Sequence, residues 1–156
     1  MKIFISLSQS GSVKSAAGLL VRADSTGNYL WTQRSRYVNN PYQWSLTVGG
    51  QLEEGEDPLD AARREFYEEL SYHGHIKINE TPVYSYKDND FTYTAFLASV
   101  PDEFELSPFV KWRFEEIGNW EMEDYEWRPI NDPPNGELHF GTAYILKSFR
   151  DFNRQE

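Results

Sequence analysis

GGQLEEGEDPLDAARREFYEELSY, Gly49 through Tyr72, reads as a glycine turn, an acidic loop and a helix. Asp57 is a good N-cap, Pro58 suits the first helical position, and Asp60 three residues on gives a near capping box. The helix is expected to run to about Leu70. Its apolar positions Leu59, Ala62, Phe66 and Leu70 follow helical spacing and should face a core. Glu65, Glu68 and Glu69 stand at i, i+3 and i+4, so they converge on a neighbouring face. Three like charges this close would weaken an isolated helix. Hard divalent cations among them would offset that cost, because Mg²⁺ and Mn²⁺ prefer carboxylate oxygens.

The charge of the whole chain is concentrated around this segment. From Glu53 to Glu69 eight carboxylates face only Arg63 and Arg64, a local net of −6 within a total of −10. So acidic a chain is a poor generic binder of nucleic-acid backbones, whose affinity comes from Lys and Arg, although phosphates can still be held through bridging cations. The 156 residues suffice for one domain with a proper core and not comfortably for two. There is no cysteine, which excludes disulfides, a thiolate nucleophile and zinc–cysteine sites. The opening MKIFISLSQSGS is too short an apolar run for a signal peptide or a membrane span. A soluble, cytoplasmic protein with no membrane association is the expectation.

Upstream, Lys2–Leu7 alternates weakly and predicts a short edge strand. Ser15–Arg22 is a small-residue and apolar run that predicts a buried strand. The turn formers of Asp24–Asn28 join it to a strand at Tyr29–Arg34. Gln43–Val48 alternates and predicts a strand delivering the Gly49-Gly50 turn. Downstream, Ile76–Ile78 is expected to be a short strand. Val83–Tyr86 and Phe91–Val100 make a second hairpin about Lys87–Asp90, the latter arm aromatic and β-branched as strands prefer. Pro101–Lys111 is loop-like, Trp112–Asn119 is ambiguous, and Met122–Ile130 contains a strand. After the break Asp132–Gly136 the pattern turns helical, with Leu138, Thr142, Ile145, Phe149 and Phe152 forming a stripe that covers the sheet. His73 and His75 flank a glycine at a helix exit and read as surface residues rather than a metal pair.

The spacing of the acidic segment also resembles the Nudix box: Gly50, five residues, Glu56, seven residues, then Arg64-Glu65-Phe66-Tyr67-Glu68-Glu69-Leu70-Ser71-Tyr72. One departure is Ser71 where the box has glycine, and Tyr72 is a bulky last apolar site. If that position needs positive φ, serine carries a cost glycine would not. The chain is therefore identified as resembling the Nudix hydrolases, MutT-like, over most of its length. The resemblance implies a single domain over residues 1–156 with an α/β fold, a Nudix-type α/β/α sandwich around a mixed β-sheet. It implies a Mg²⁺-dependent (or Mn²⁺-dependent) hydrolase cleaving the phosphoanhydride linkage of a small-molecule nucleotide, either a nucleoside diphosphate derivative such as ADP-ribose or a nucleoside triphosphate. The rival reading is a catalytically inactive module that binds a nucleotide without cutting it. A homodimer is open, and no segment marks an interface.

By the same resemblance Glu65, Glu68 and Glu69 match the metal-binding glutamates, one of which doubles as general base. The carbonyl of Gly50 matches a further metal ligand, its glycine leaving the backbone free to turn. Arg64 matches the box arginine, which orients a ligand glutamate by an ion pair, with Glu56 sharing that network. An extra base or ligand outside the box would come from Glu115, Glu116, Glu121 or Glu123, the first two lying nearest the expected distance. The box does not read the base. Rings able to stack on one include Trp31, Trp44, Tyr84, Tyr86, Phe91 and Trp127, most of which are expected in the core, and Arg34 and Arg36 end a strand where they could meet a phosphate or equally stand as surface charges.

Overall fold

The computed structural model describes residues 14–106 and 122–154. The expected strand at Lys2–Leu7, the ambiguous Trp112–Asn119 segment and the candidates Glu115, Glu116 and Glu121 lie outside them.

The order of elements is β1 (Lys14–Ala23), β2 (Tyr29–Arg34), β3 (Trp44–Ser45), β4 (Val48–Gln51), α1 (Pro58–Leu70), β5 (Lys77–Ile78), β6 (Tyr84–Lys87), β7 (Phe91–Val100), β8 (Met122–Arg128) and α2 (Phe140–Arg154). The eight strands of the described residues join one mixed sheet. β1 and β7 lie parallel at its centre, in register from Lys14 opposite Phe91 to Ala23 opposite Val100. Every other pairing is antiparallel: β2 and β4 share the far edge of β1, β5 and β6 share that of β7, and β3 and β8 flank β2.

The sheet is covered on both faces, which is why β1 reads as a continuous apolar run rather than an alternating one. Ala17, Leu19, Val21 and Ala23 pack with Ala61, Ala62, Phe66 and Leu70 of α1. Leu20, one step out of phase, packs with Trp31, Leu46 and with Ile145, Leu146 and Phe149 of α2. The period of two in β1 thus sorts its side chains between two helices, giving the expected α/β/α sandwich. Thr142, inside the C-terminal stripe, fastens α2 to the sheet by accepting a hydrogen bond from the Leu46 N–H at 3.2 Å. α2 itself begins at Phe140, after Leu138 has bridged to Trp44.

Two local expectations are corrected. The predicted strand Gln43–Val48 is split, Trp44–Ser45 pairing with β2 and Val48 beginning β4. Gly49 and Gly50 do not turn; they lie within β4, opposite Gly18 and Ala17 of β1. Glycine is required there by close approach. A Cβ on Gly49 would strike the Ala17 backbone, and one on Gly50 would sit 2.6 Å from the carboxyl carbon of Glu65. Flexible turning is instead found at Gly55 in the acidic loop, at φ 77°.

Candidate active site

The helix α1 is built as its sequence dictates. Asp57 is its N-cap, in extended conformation, and its carboxylate accepts from the Asp60 N–H at 2.9 Å, with Pro58 following. Ser71 ends it in the left-handed conformation, φ 49° and ψ 33°, and donates its N–H to Tyr67 O at 2.9 Å. The site does need positive φ, and serine occupies it. Tyr72 turns back into the core, stacking on Phe104 at 4.4 Å and donating its hydroxyl to His75 O.

Arg64 is the hub of the charged face. Its Nε and one terminal nitrogen fork onto the two oxygens of Glu56 at 2.9 and 3.0 Å. The same terminal nitrogen reaches Gln51 O at 3.0 Å, while the other meets Glu65 at 2.9 Å and Glu68 at 3.1 Å. One guanidinium therefore ties the acidic loop, β4 and two box glutamates together, using the planar fork that lysine lacks. The hydrogen bond to Arg64 holds the Glu56 carboxyl below its ordinary range.

Glu65 is the unusual member. Its side chain is 3% exposed, beneath Gly50. One oxygen is held by Arg64, and the other, Oε2, is buried without a hydrogen-bond partner among the described residues. Burial pushes its carboxyl up to about 7 despite the Arg64 charge beside it. A buried acceptor with no donor is costly unless a cation completes it. Among the described residues, no three of His, Asp and Glu already converge as a cation cage, the arms of Glu65 and Glu68 being turned to Arg64. The donor set still suits a hard cation: the unpartnered Glu65 oxygen, the more exposed Glu68, and Glu69 one residue on. Glu69 lies near enough to the Tyr93 hydroxyl for its charge to help raise that group, which burial pushes up to about 12.

Tyr93 leads from the carboxylates into a cleft of ≈ 860 Å³ on the α2 face of the sheet. Its hydroxyl donates to Thr47 Oγ1 at 2.9 Å and occupies room that only a glycine at position 18 leaves. Gly49, Gly50 and Gln51 form the wall shared with Glu65. Tyr84, Tyr86 and Phe91 line one side, and His139, Phe140 and Tyr144 at the start of α2 the other. Tyr86, Phe140 and Tyr144 are exposed there. Lys14 and Arg34 supply positive charge at the rim.

Of the rings proposed from sequence, Tyr84, Tyr86 and Phe91 line the cleft. Trp31 and Trp44 are buried in the α2-side core, and Trp127 packs on Phe104 and donates its indole N–H to Phe104 O. Those three pack structurally, as was expected of most of the candidate rings. Arg34 lines the cleft, whereas Arg36 forms a bidentate pair with Glu123 at 2.7 and 3.0 Å. His73 and His75 are exposed surface residues that do not line it. The reading of the sequence missed Tyr93, Thr47, His139, Phe140 and Tyr144. The period of two that places Phe91 also places Tyr93, and was the signal available.

The carboxylate face of α1 thus stands behind Gly50, a wall residue of the ring-lined cleft, on a mixed sheet covered on both faces. The NUDIX domain model matches residues 13–149, and the chain belongs to the Nudix family. The RNA pyrophosphohydrolase of Rhizobium meliloti (strain 1021) is 28% identical over 126 residues, 73% of this chain and 75% of that relative. Among solved structures, the M. smegmatis Nudix hydrolase RenU superposes with a TM-score of 0.70 at 21% identity, covering 90% of this chain and 86% of its own. A C. elegans Ap4A hydrolase gives 0.61 at 24% identity, covering 92% and 100%. At these identities the two structures speak to the fold alone.

Proposed function

We propose that this chain is a Mg²⁺- or Mn²⁺-dependent hydrolase that cleaves the diphosphate linkage of a nucleotide. The observation that carries the reading is the buried, unpartnered Oε2 of Glu65 on a helix face shared with Glu68 and Glu69, at the wall of a ring-lined cleft. Glu65, Glu68, Glu69 and the Gly50 carbonyl would hold the cation, which supplies the charge that neutralises diphosphate oxygens and acidifies the attacking water.

The chain's own residues do the rest. Arg64 fixes Glu65 and Glu68 in place and is a positioning residue, its guanidinium N–H groups being engaged by Glu56, Gln51, Glu65 and Glu68. One of the three glutamates takes the proton from water; the charge of Glu69 is felt at Tyr93, a residue of the cleft lining. Lys14 and Arg34 offset phosphate charge, and the rings of β6, β7 and α2 take the base.

ADP-ribose-like nucleotides and nucleoside triphosphates fit this chemistry. So does the 5′ polyphosphate end of an RNA, the substrate type in the name of the Rhizobium relative. A net charge of −10 argues against binding along an RNA backbone, not against capture of one end in the cleft. The test is a hydrolysis panel in Mg²⁺ and Mn²⁺ with products separated by chromatography. It holds ADP-ribose, NADH, dinucleoside polyphosphates, 5′-triphosphorylated and capped RNA, and normal and oxidised nucleoside triphosphates. One class turned over, and silenced by EDTA, is the expected result. No turnover, with nucleotides still raising the melting temperature, would replace the reading with a binding module.

A further inference from the structure

His139 is held at every hydrogen-bonding atom except one. Its backbone N–H donates to Trp44 O at 2.9 Å, and its carbonyl accepts from the Thr142 N–H at 2.9 Å. Its Nδ1 accepts from the Gly141 N–H at 3.2 Å, so the side chain caps the first turn of α2. A nitrogen that accepts carries no proton, which fixes the neutral tautomer with its hydrogen on Nε2. Among the described residues nothing accepts from that Nε2–H. The ring is half-buried in the cleft lining, tilted 30° against Phe140 with centroids 4.5 Å apart.

We propose that His139 is a base-reading residue, presenting Nε2–H as a fixed donor to an acceptor on the edge of the base that stacks among the rings of the cleft. This rests on the nucleotide reading of that cleft. A neutral donor against Phe140, in a cleft also lined by Tyr144, matches a neutral acceptor, a base carbonyl or ring nitrogen, better than a phosphate, for which the cleft offers Lys14 and Arg34. Burial and the nearby Arg34 charge both keep the imidazole uncharged, lowering it to about 4. The cap is what makes the donor useful, because it removes the ring's freedom to flip and so removes an ordering cost from binding.

The two roles of His139 separate by substitution. In His139→Asn the amide oxygen takes over the cap on Gly141, and the donor at the Nε2 position is lost. In His139→Gln the amide N–H₂ reaches the Nε2 position and the cap is lost. Binding of AMP, GMP and ribose 5-phosphate is measured by calorimetry in EDTA, alongside melting temperature, so that the result stands whether or not the protein hydrolyses anything. His139→Asn is expected to melt with the wild type and to bind AMP or GMP about five- to tenfold more weakly, the loss of one hydrogen bond. Ribose 5-phosphate should bind the two equally. His139→Gln should melt lower and recover nucleotide affinity. On the substrate selected by the hydrolysis panel, His139→Asn should raise KM by the same factor and leave kcat within about twofold. Unchanged nucleotide affinity in His139→Asn would reduce the residue to a cap. An equal loss for ribose 5-phosphate would move its contact from base to sugar or phosphate. Either result overturns the proposal while leaving the hydrolase reading intact.

Discussion

Replacing Glu65 by Gln removes a charge the fold accommodates only at a cost, and the size of that cost follows from the site. Burial moves the Glu65 carboxyl from 4.5 to about 7. A raised acid binds its proton more tightly folded than unfolded, so stability from this group is present below pH 4.5 and is lost as pH rises towards 7. At 1.36 kcal/mol per unit the full rise corresponds to roughly 3 kcal/mol, of which at least ~2 kcal/mol is lost between pH 4.5 and 7.5. In EDTA, the wild type should therefore lose about 2 kcal/mol relative to Glu65→Gln between pH 4.5 and 7.5, about 4–8 °C in melting temperature for a domain of this size. Added Mg²⁺ should reverse the loss in the wild type, by ~2.7 kcal/mol at a hundredfold excess over its Kd, and should do far less for the variant. Denaturant melts of both proteins across that pH range, with and without Mg²⁺, are the assay. Parallel profiles in EDTA would refute the argument that an ionised Glu65 is strained, and an equal Mg²⁺ gain in both would place the cation elsewhere.

Three further outcomes follow from the same geometry. Arg64→Lys keeps the charge but cannot fork onto Glu56 while reaching Gln51, Glu65 and Glu68; it should cost about 2 kcal/mol in denaturant melts and lower kcat more than it raises KM. Gly50→Ala places a Cβ 2.6 Å from the Glu65 carboxyl, so the protein should fold, as judged by circular dichroism, and lose at least about tenfold of its turnover together with its Mg²⁺-dependent rise in melting temperature. Ser71→Gly relieves a left-handed serine at the end of α1 and should stabilise by about 1 kcal/mol without changing turnover.

What could be read from sequence was what is local. Asp57, Pro58 and the run of apolar positions to Leu70 act within a few residues of one another, and α1 has the predicted bounds. The Arg64–Glu56 pair was expected from the resemblance of the acidic segment to the Nudix box, and the two side chains meet at 2.9 Å. Gly49 and Gly50 were misread because glycine marks close approach as readily as a turn, and the strand they press against, β1, is some 30 residues away in sequence. Trp31 and Trp44 are in the core, as most of the candidate rings were expected to be; which rings remained for the cleft was not legible, because strand alternation says which residues share a face and not whether a helix covers it. His139 was missed although its cap on Gly141 and its ring contact with Phe140 are local, because its place in the cleft and its backbone bond to Trp44 arise only once α2 docks beside β3.

The most direct test of the hydrolase account is turnover of the panel's best substrate at saturating Mg²⁺ by the wild type and by Glu69→Gln, with far-ultraviolet circular dichroism to confirm that both are folded. The account predicts that Glu69→Gln is folded and all but inactive. A folded Glu69→Gln that turns over at the wild-type rate would contradict the role given to the carboxylate face of α1.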